Sequence, residues 1–129
     1  MDILLKSGAI FLIVALVLAW VLVAVRFLGF FKGIFADDKY LLSSHLDYIF
    51  MAILNWLIYL MAAHLQGGHE LMAWLIIAGS ALNPLLFLIL SVRPTIAKSP
   101  LSPFGMFSSF SFSLTTAGYG WAAFEILKN

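Results

Sequence analysis

Residues 7–25 read SGAIFLIVALVLAWVLVAV, 19 residues without a charge. An α-helix rises about 1.5 Å per residue, so a hydrocarbon core about 30 Å thick takes about 20 residues to cross. The stretch has that length and that composition. Lys6 before it gives the outline of a secretory leader, but 19 apolar residues exceed the roughly 7–15 of a leader's apolar region. No small-x-small cleavage pattern precedes a polar start. The segment reads as a retained membrane helix, expected over about residues 4–31 because Arg26 can lay its stem along the helix and hold its head at the interface.

The rest of the chain repeats the pattern. Uncharged stretches cover 48–69, 71–92 and 99–124, each long enough to span. Of 129 residues, 64% are hydrophobic and 10% charged, against about 25% charged in an average soluble domain. So few charges cannot cover a folded surface in water, which excludes a soluble enzyme and a disordered tail. A net charge of +1 offers no footprint for nucleic acid. With no Cys there are no disulfides, iron–sulfur clusters or thiolate ligands. Sustained period-2 alternation is missing, and four strands cannot close a barrel in lipid. The expectation is an all-α, integral membrane bundle of four transmembrane helices in one domain over 1–129. The helices are expected at about 4–31, 43–66, 69–92 and 104–127. Ser43 or Ser44 would cap the second, and Gln66-Gly67-Gly68 would turn into the third. A bundle this small has little interior, so a sizeable cavity calls for neighbouring copies and an oligomer.

Charge placement orients the bundle. Arg26, Lys32, Lys39, Arg93 and Lys98, five of seven basic residues, border the first and third connections. The positive-inside rule places loops 31–42 and 93–103 in the cytoplasm. Both termini then face the periplasm of a bacterial inner membrane. Trp20, Trp56, Trp74 and Trp121 are not all at the depth of an interfacial belt, so some should pack inside the bundle or between subunits. The serines opening the last helix suit close helix approach.

Polar groups within a bilayer are costly and therefore informative. On the second helix, Asp47, Tyr48 and Asn55 border one stripe, and His45 lies about 200° round from Asp47. An acidic residue suits a helix start, which accounts for Asp47; imidazolium does not suit it, but a neutral imidazole there can be a metal ligand. His64, His69 and Glu70 are either interfacial polar residues or a small metal site. In Asn83-Pro84, the proline removes a backbone donor and frees the Ser80 carbonyl. Asn83 then either helps line a polar pocket or joins helices by bonding Asn55.

The order of these features resembles the small four-helix membrane isomerases, the styrene oxide isomerases and hydroxylaminobenzene mutases. Ser44-His45-Leu46-Asp47 is similar to the mutases' His-Leu-Glu after a short loop. Asn83-Pro84-Leu85-Leu86-Phe87 is similar to the isomerases' third-helix segment, an Asn followed four residues later by an aromatic. A Pro/Gly/Ser-rich third loop and a last helix with small residues complete the likeness. The resemblance implies that His45 is the axial ligand of a b-type haem in a homotrimer, whose ferric iron acts as a Lewis acid on an epoxide oxygen. The isomerases' Asn six residues after the His falls at Met51, their third-helix Tyr at Phe87 and an Asp at Gly79. Met51 and Phe87 would then border the cofactor. Asn83, Asp47 and Asn55 would be the polar groups acting on a small hydrophobic substrate. Two other readings use the same residues: a non-catalytic accessory subunit of a larger membrane complex, and a small oligomeric transporter with Asn83 and the Pro84 kink lining its path.

Overall fold

The fold is described over residues 1–64 and 69–128 of a computed structural model. Four helices account for it: α1 (Asp2–Val23), α2 (Asp38–Met61), α3 (Glu70–Val92) and α4 (Pro103–Lys128), and the described residues form no strand. A helix pairs its own backbone groups, which is what apolar runs of this length would require in a membrane. Three segments are long and apolar enough to cross a membrane: Asp2–Leu28, Asp38–Met61 and Glu70–Val92. The first combines α1 with the turn that follows it. The chain is thus all-helical and compatible with an integral membrane location. The helix α4 matches the others in length, but its Ser, Thr and Gly lower its hydropathy.

Three expected boundaries move. The first helix ends earlier than residue 31. After Val23 it widens into a π-turn, Ala24–Leu28, and stops at Gly29 with φ 72°. A left-handed glycine just past the last turn is the commonest helix terminator, since it has no Cβ to clash. Phe31 also has a positive φ, 61°, which holds the chain in a tight turn at some cost in strain. The second helix starts at Asp38, not near residue 43. Asp37 caps it, its carboxylate accepting from the Lys39 N–H at 2.9 Å. Asp is a strong cap because it satisfies an orphan N–H and suits the positive helix end. Ser43 and Ser44 are interior to α2: Ser43 bonds back to the Lys39 carbonyl, and Ser44 reaches α3. Beyond Met61 a 3₁₀ turn covers Ala62–His64; the expected Gln66-Gly67-Gly68 turn lies outside the described residues. The third helix begins near its expected place. The fourth begins one residue early, where Ser102 Oγ accepts from the Gly105 N–H at 3.1 Å and Pro103 takes the first helical position.

Packing follows chain order. Helix α1 lies on α2, α2 on α3 and α3 on α4, with α1 also touching α3. One buried cluster joins Phe11, Ala15 and Leu18 to Leu41, Tyr48 and Met51. A second, toward the start of α1, joins Leu4, Ile58, Met72, Ile76 and Ala122, so all four helices meet there. Close approach between α3 and α4 depends on two glycines. A Cβ on Gly79 would meet the Thr115 backbone nitrogen at 2.7 Å, and one on Gly118 would meet the Ile76 nitrogen at 2.7 Å. Outward faces carry Ile13, Val17, Trp20, Phe50, Leu60 and Phe110, all exposed. At the far end, the Asp37 N–H bonds the Ser91 carbonyl, Arg26 pairs with Asp38, and Lys98 donates to the Tyr40 hydroxyl at 3.0 Å. These contacts gather the first and third connections at one end of the bundle.

Candidate functional site

Asn55 is fully buried on α2, six residues before its end. Its Nδ2 donates to Ser7 Oγ of α1 at 3.0 Å. Its Oδ1 accepts from Tyr119 of α4 at 2.7 Å and from Ser80 of α3 at 3.1 Å. Ser80 and Tyr119 also lie 2.9 Å apart. One amide therefore bonds all four helices. Each hydroxyl has one hydrogen, so Ser80 divides its own between Asn55 and Tyr119. Ser7 passes its hydrogen on to the Leu4 carbonyl at 3.0 Å. Every heavy atom of this node has a partner, as a buried polar cluster requires. Tyr119 further approaches the sulfur of Met51 at 3.9 Å, and Met51 is itself buried in the protomer's core.

A second polar layer lies two to three turns of α2 nearer the loop-one end. Ser44 donates to the Pro84 carbonyl at 2.9 Å and Tyr48 to the Ala81 carbonyl at 3.3 Å. Hydroxyls of α2 therefore line the stretch of α3 that Pro84 interrupts. Asn83 turns the other way, and its Oδ1 accepts from Ser111 of α4 at 3.3 Å. The expected Asn55–Asn83 bond does not form: Asn55 engages Ser80, one turn before Pro84, and Asn83 engages α4. Phe87 is half-buried one turn beyond Asn83.

His45 is half-buried in the seam between α2 and α1, with Nδ1 2.7 Å from the Ala15 carbonyl. A carbonyl only accepts, so in the neutral ring Nδ1 carries the hydrogen and Nε2 the lone pair. Asp47 lies about 200° round the helix from His45. Its Oδ2 is buried with no hydrogen-bond partner among the described residues. The fold thus separates the candidates. Asn55 is central, Asn83 faces α4, and His45 faces α1.

The described residues hold no group of three His, Cys, Asp or Glu side chains able to share a metal ion. The His64/His69/Glu70 alternative does not assemble; His69 instead stands edge-on to Trp121, ring centroids 6.2 Å apart. A metal that brings its own four nitrogens, as a porphyrin iron does, needs only one protein ligand. His45 fits that requirement, since a ligating imidazole ordinarily has its other nitrogen tied to a carbonyl.

Sequence reasoning gave no role to Ser7 or Gly118, placed Gly79 only in the resemblance, and did not assign Tyr119 its role. The serines opening α4 were expected to serve close approach. Ser111 is buried and reaches Asn83 of α3, while Ser108, Ser109 and Ser113 bond back to carbonyls four residues earlier, which satisfies their hydroxyls within the helix. No family model matches the chain, and no curated protein or solved structure matches it.

Proposed function

We propose that the chain is an integral membrane protein of four spans, akin to the small four-helix isomerases, that binds haem b through His45 in a homotrimer. The observation that supports it is the Nδ1 contact with the Ala15 carbonyl, which directs the ring's lone pair to Nε2. In this reading loops one and three are cytoplasmic and both termini periplasmic, in a bacterial inner membrane. The fourth span is α4, whose serines hide their hydroxyls on its own backbone.

When bound, ferric haem would supply a Lewis acid for the oxygen of a small apolar epoxide or a related N–O or C–O substrate. The chain's own residues supply the rest. Ala15 orients His45 and sets its tautomer. Asn83 has its amide oxygen engaged by Ser111 and its amide nitrogen left to donate to a substrate oxygen. Asp47 offers an acceptor at its unpartnered Oδ2. Within one chain His45 and Asn83 face different neighbours, so the pocket is completed by the next copy. Phe87 and the surrounding Leu side chains exclude water. The buried Asn55 node leaves that residue as the tie between helices rather than a group that meets substrate.

The test is one absorption spectrum of the protein purified in mild detergent from haem-replete cells. A Soret band that shifts or disappears in His45→Ala is the expected result. A protein without Soret absorption, or an unchanged band in His45→Ala, overturns the reading. The saturated Asn55 node favours one second reading, a non-catalytic accessory subunit whose polar residues tie helices. Stoichiometric co-purification with larger membrane partners would then replace the self-trimer.

A further inference from the structure

The outer face of α3 carries a cleft of about 350 Å³ lined by Leu85, Leu88, Ile89, Val92, Arg93 and Ile96. The first four recur at i, i+3, i+4 and i+7, a single stripe of the helix about 10 Å long. Ile96 folds back over the stripe's end through the turn in which its N–H bonds the Arg93 carbonyl. Arg93 is the only charged side chain in the lining, and it stands immediately past the apolar segment Glu70–Val92. Neither ion pair among the described residues uses it, for Arg26 pairs with Asp38 and Lys128 with Glu125. Lys98 lies in the same connection, with its ammonium over the Tyr40 ring.

We infer that this cleft binds one anionic phospholipid, an acyl chain along the Leu85–Val92 stripe and the phosphodiester on the Arg93 guanidinium. The charge and the depth argue for this occupant. A guanidinium at the membrane–water interface, without an ion pair among the described residues, complements a phosphate, with two parallel N–H donors for two oxygens. The stripe below it runs in the direction a lipid tail takes from the same headgroup. Lipid tails are as apolar as leucine, so the groove gives no net hydrophobic gain in a bilayer. It supplies a shape that holds one chain, and Arg93 supplies the selection between headgroups. The inference rests on α3 being a membrane span, and it is independent of haem and of His45.

Native mass spectrometry of the detergent-purified protein tests it, with titration by phosphatidylglycerol, phosphatidylcholine or glycerol phosphate. One phosphatidylglycerol per chain should be retained at about fivefold lower concentration than phosphatidylcholine, the usual worth of one basic side chain against an anionic lipid. Glycerol phosphate, which has the headgroup charge without the tails, should leave no adduct. Arg93→Gln should abolish the preference and Arg93→Lys keep part of it. Ile89→Trp, which fills the groove, should weaken retention of both lipids. Equal retention of the two lipids by wild type overturns the inference. So does a preference that survives Arg93→Gln, or a cleft that crosslinks to a second copy and takes no lipid. The wild-type comparison of lipids stands even where a variant fails to fold. A protein that stays in aqueous solution without detergent would refute the membrane span itself, a different result from a span with no lipid preference.

Discussion

Replacing Asn55 with Ala removes the amide that bonds α1, α3 and α4 at once. The cost can be worked from what each former partner keeps. Ser7 still donates to the Leu4 carbonyl, and Ser80 and Tyr119 remain 2.9 Å apart and can bond each other. Only one hydroxyl hydrogen loses its acceptor, so the penalty for orphaned groups is small. Three interhelical bonds go and the Ser80–Tyr119 bond stands in for one, a net loss of two at about 0.6 kcal/mol each in a membrane protein, or about 1.2 kcal/mol together. Tyr119→Phe removes one of the three, because Ser80 then gives its hydrogen wholly to Asn55, and should cost about 0.6 kcal/mol. Tyr119→Phe on top of Asn55→Ala breaks the Ser80–Tyr119 bond and costs about as much again, whereas Ser7→Ala on top of Asn55→Ala should cost less than Ser7→Ala alone, because the bond those two share is already gone. Unfolding followed by circular dichroism as a denaturing detergent is titrated into mixed micelles gives these values. Strictly additive costs for Asn55→Ala and Ser7→Ala, or Asn55→Ala within about 0.3 kcal/mol of wild type, would refute the node as a tie between helices. A variant that keeps wild-type stability but loses haem or turnover would instead return Asn55 to the reacting site.

Two other perturbations read different parts of the fold. Gly79→Ala drives a Cβ into the Thr115 backbone and should cost about 1–3 kcal/mol through overpacking, whereas Gly120→Ala meets open space and should leave the melting temperature unchanged; equal effects would show that α3 and α4 do not approach as described. The chain has no Cys, so single cysteines report topology through a membrane-impermeant maleimide on intact cells. Lys128→Cys and Asp2→Cys should label alike and Thr95→Cys should be protected; labelling of Lys128→Cys that follows Thr95→Cys would mean that α4 does not cross.

Much of the helical layout is legible because charge is so scarce. Each uncharged stretch has to become a helix, and Arg93-Pro94 ends the third where expected. The ends that moved were governed by single residues with local geometry. Gly29 stops α1 because only a glycine takes that turn without strain, and its place inside an apolar run masks the signal. Asp37 caps α2 six residues before Ser43, which leaves that serine already one turn inside the helix. Ser102-Pro103 is a start signal of the same kind, legible as a capping serine followed by a first-turn proline.

The polar node was harder to read because depth, not spacing, brings its members together. Ser7 is five residues into α1 and Asn55 six from the end of α2, while Ser80 is ten into α3 and Tyr119 nine from the end of α4. With helices alternating in direction, these counts place all four about 8–15 Å from the same end. Asn83 is three residues deeper than Ser80 and turned about 300° round the helix, so it misses Asn55 and meets Ser111 instead. A paired asparagine is the obvious expectation when only residue type is compared. Measuring each polar residue from its own helix end selects Ser80 over Asn83. It also separates what ties the bundle from what remains for a ligand: His45, Asp47 and Asn83 lie in the layer that the node does not use.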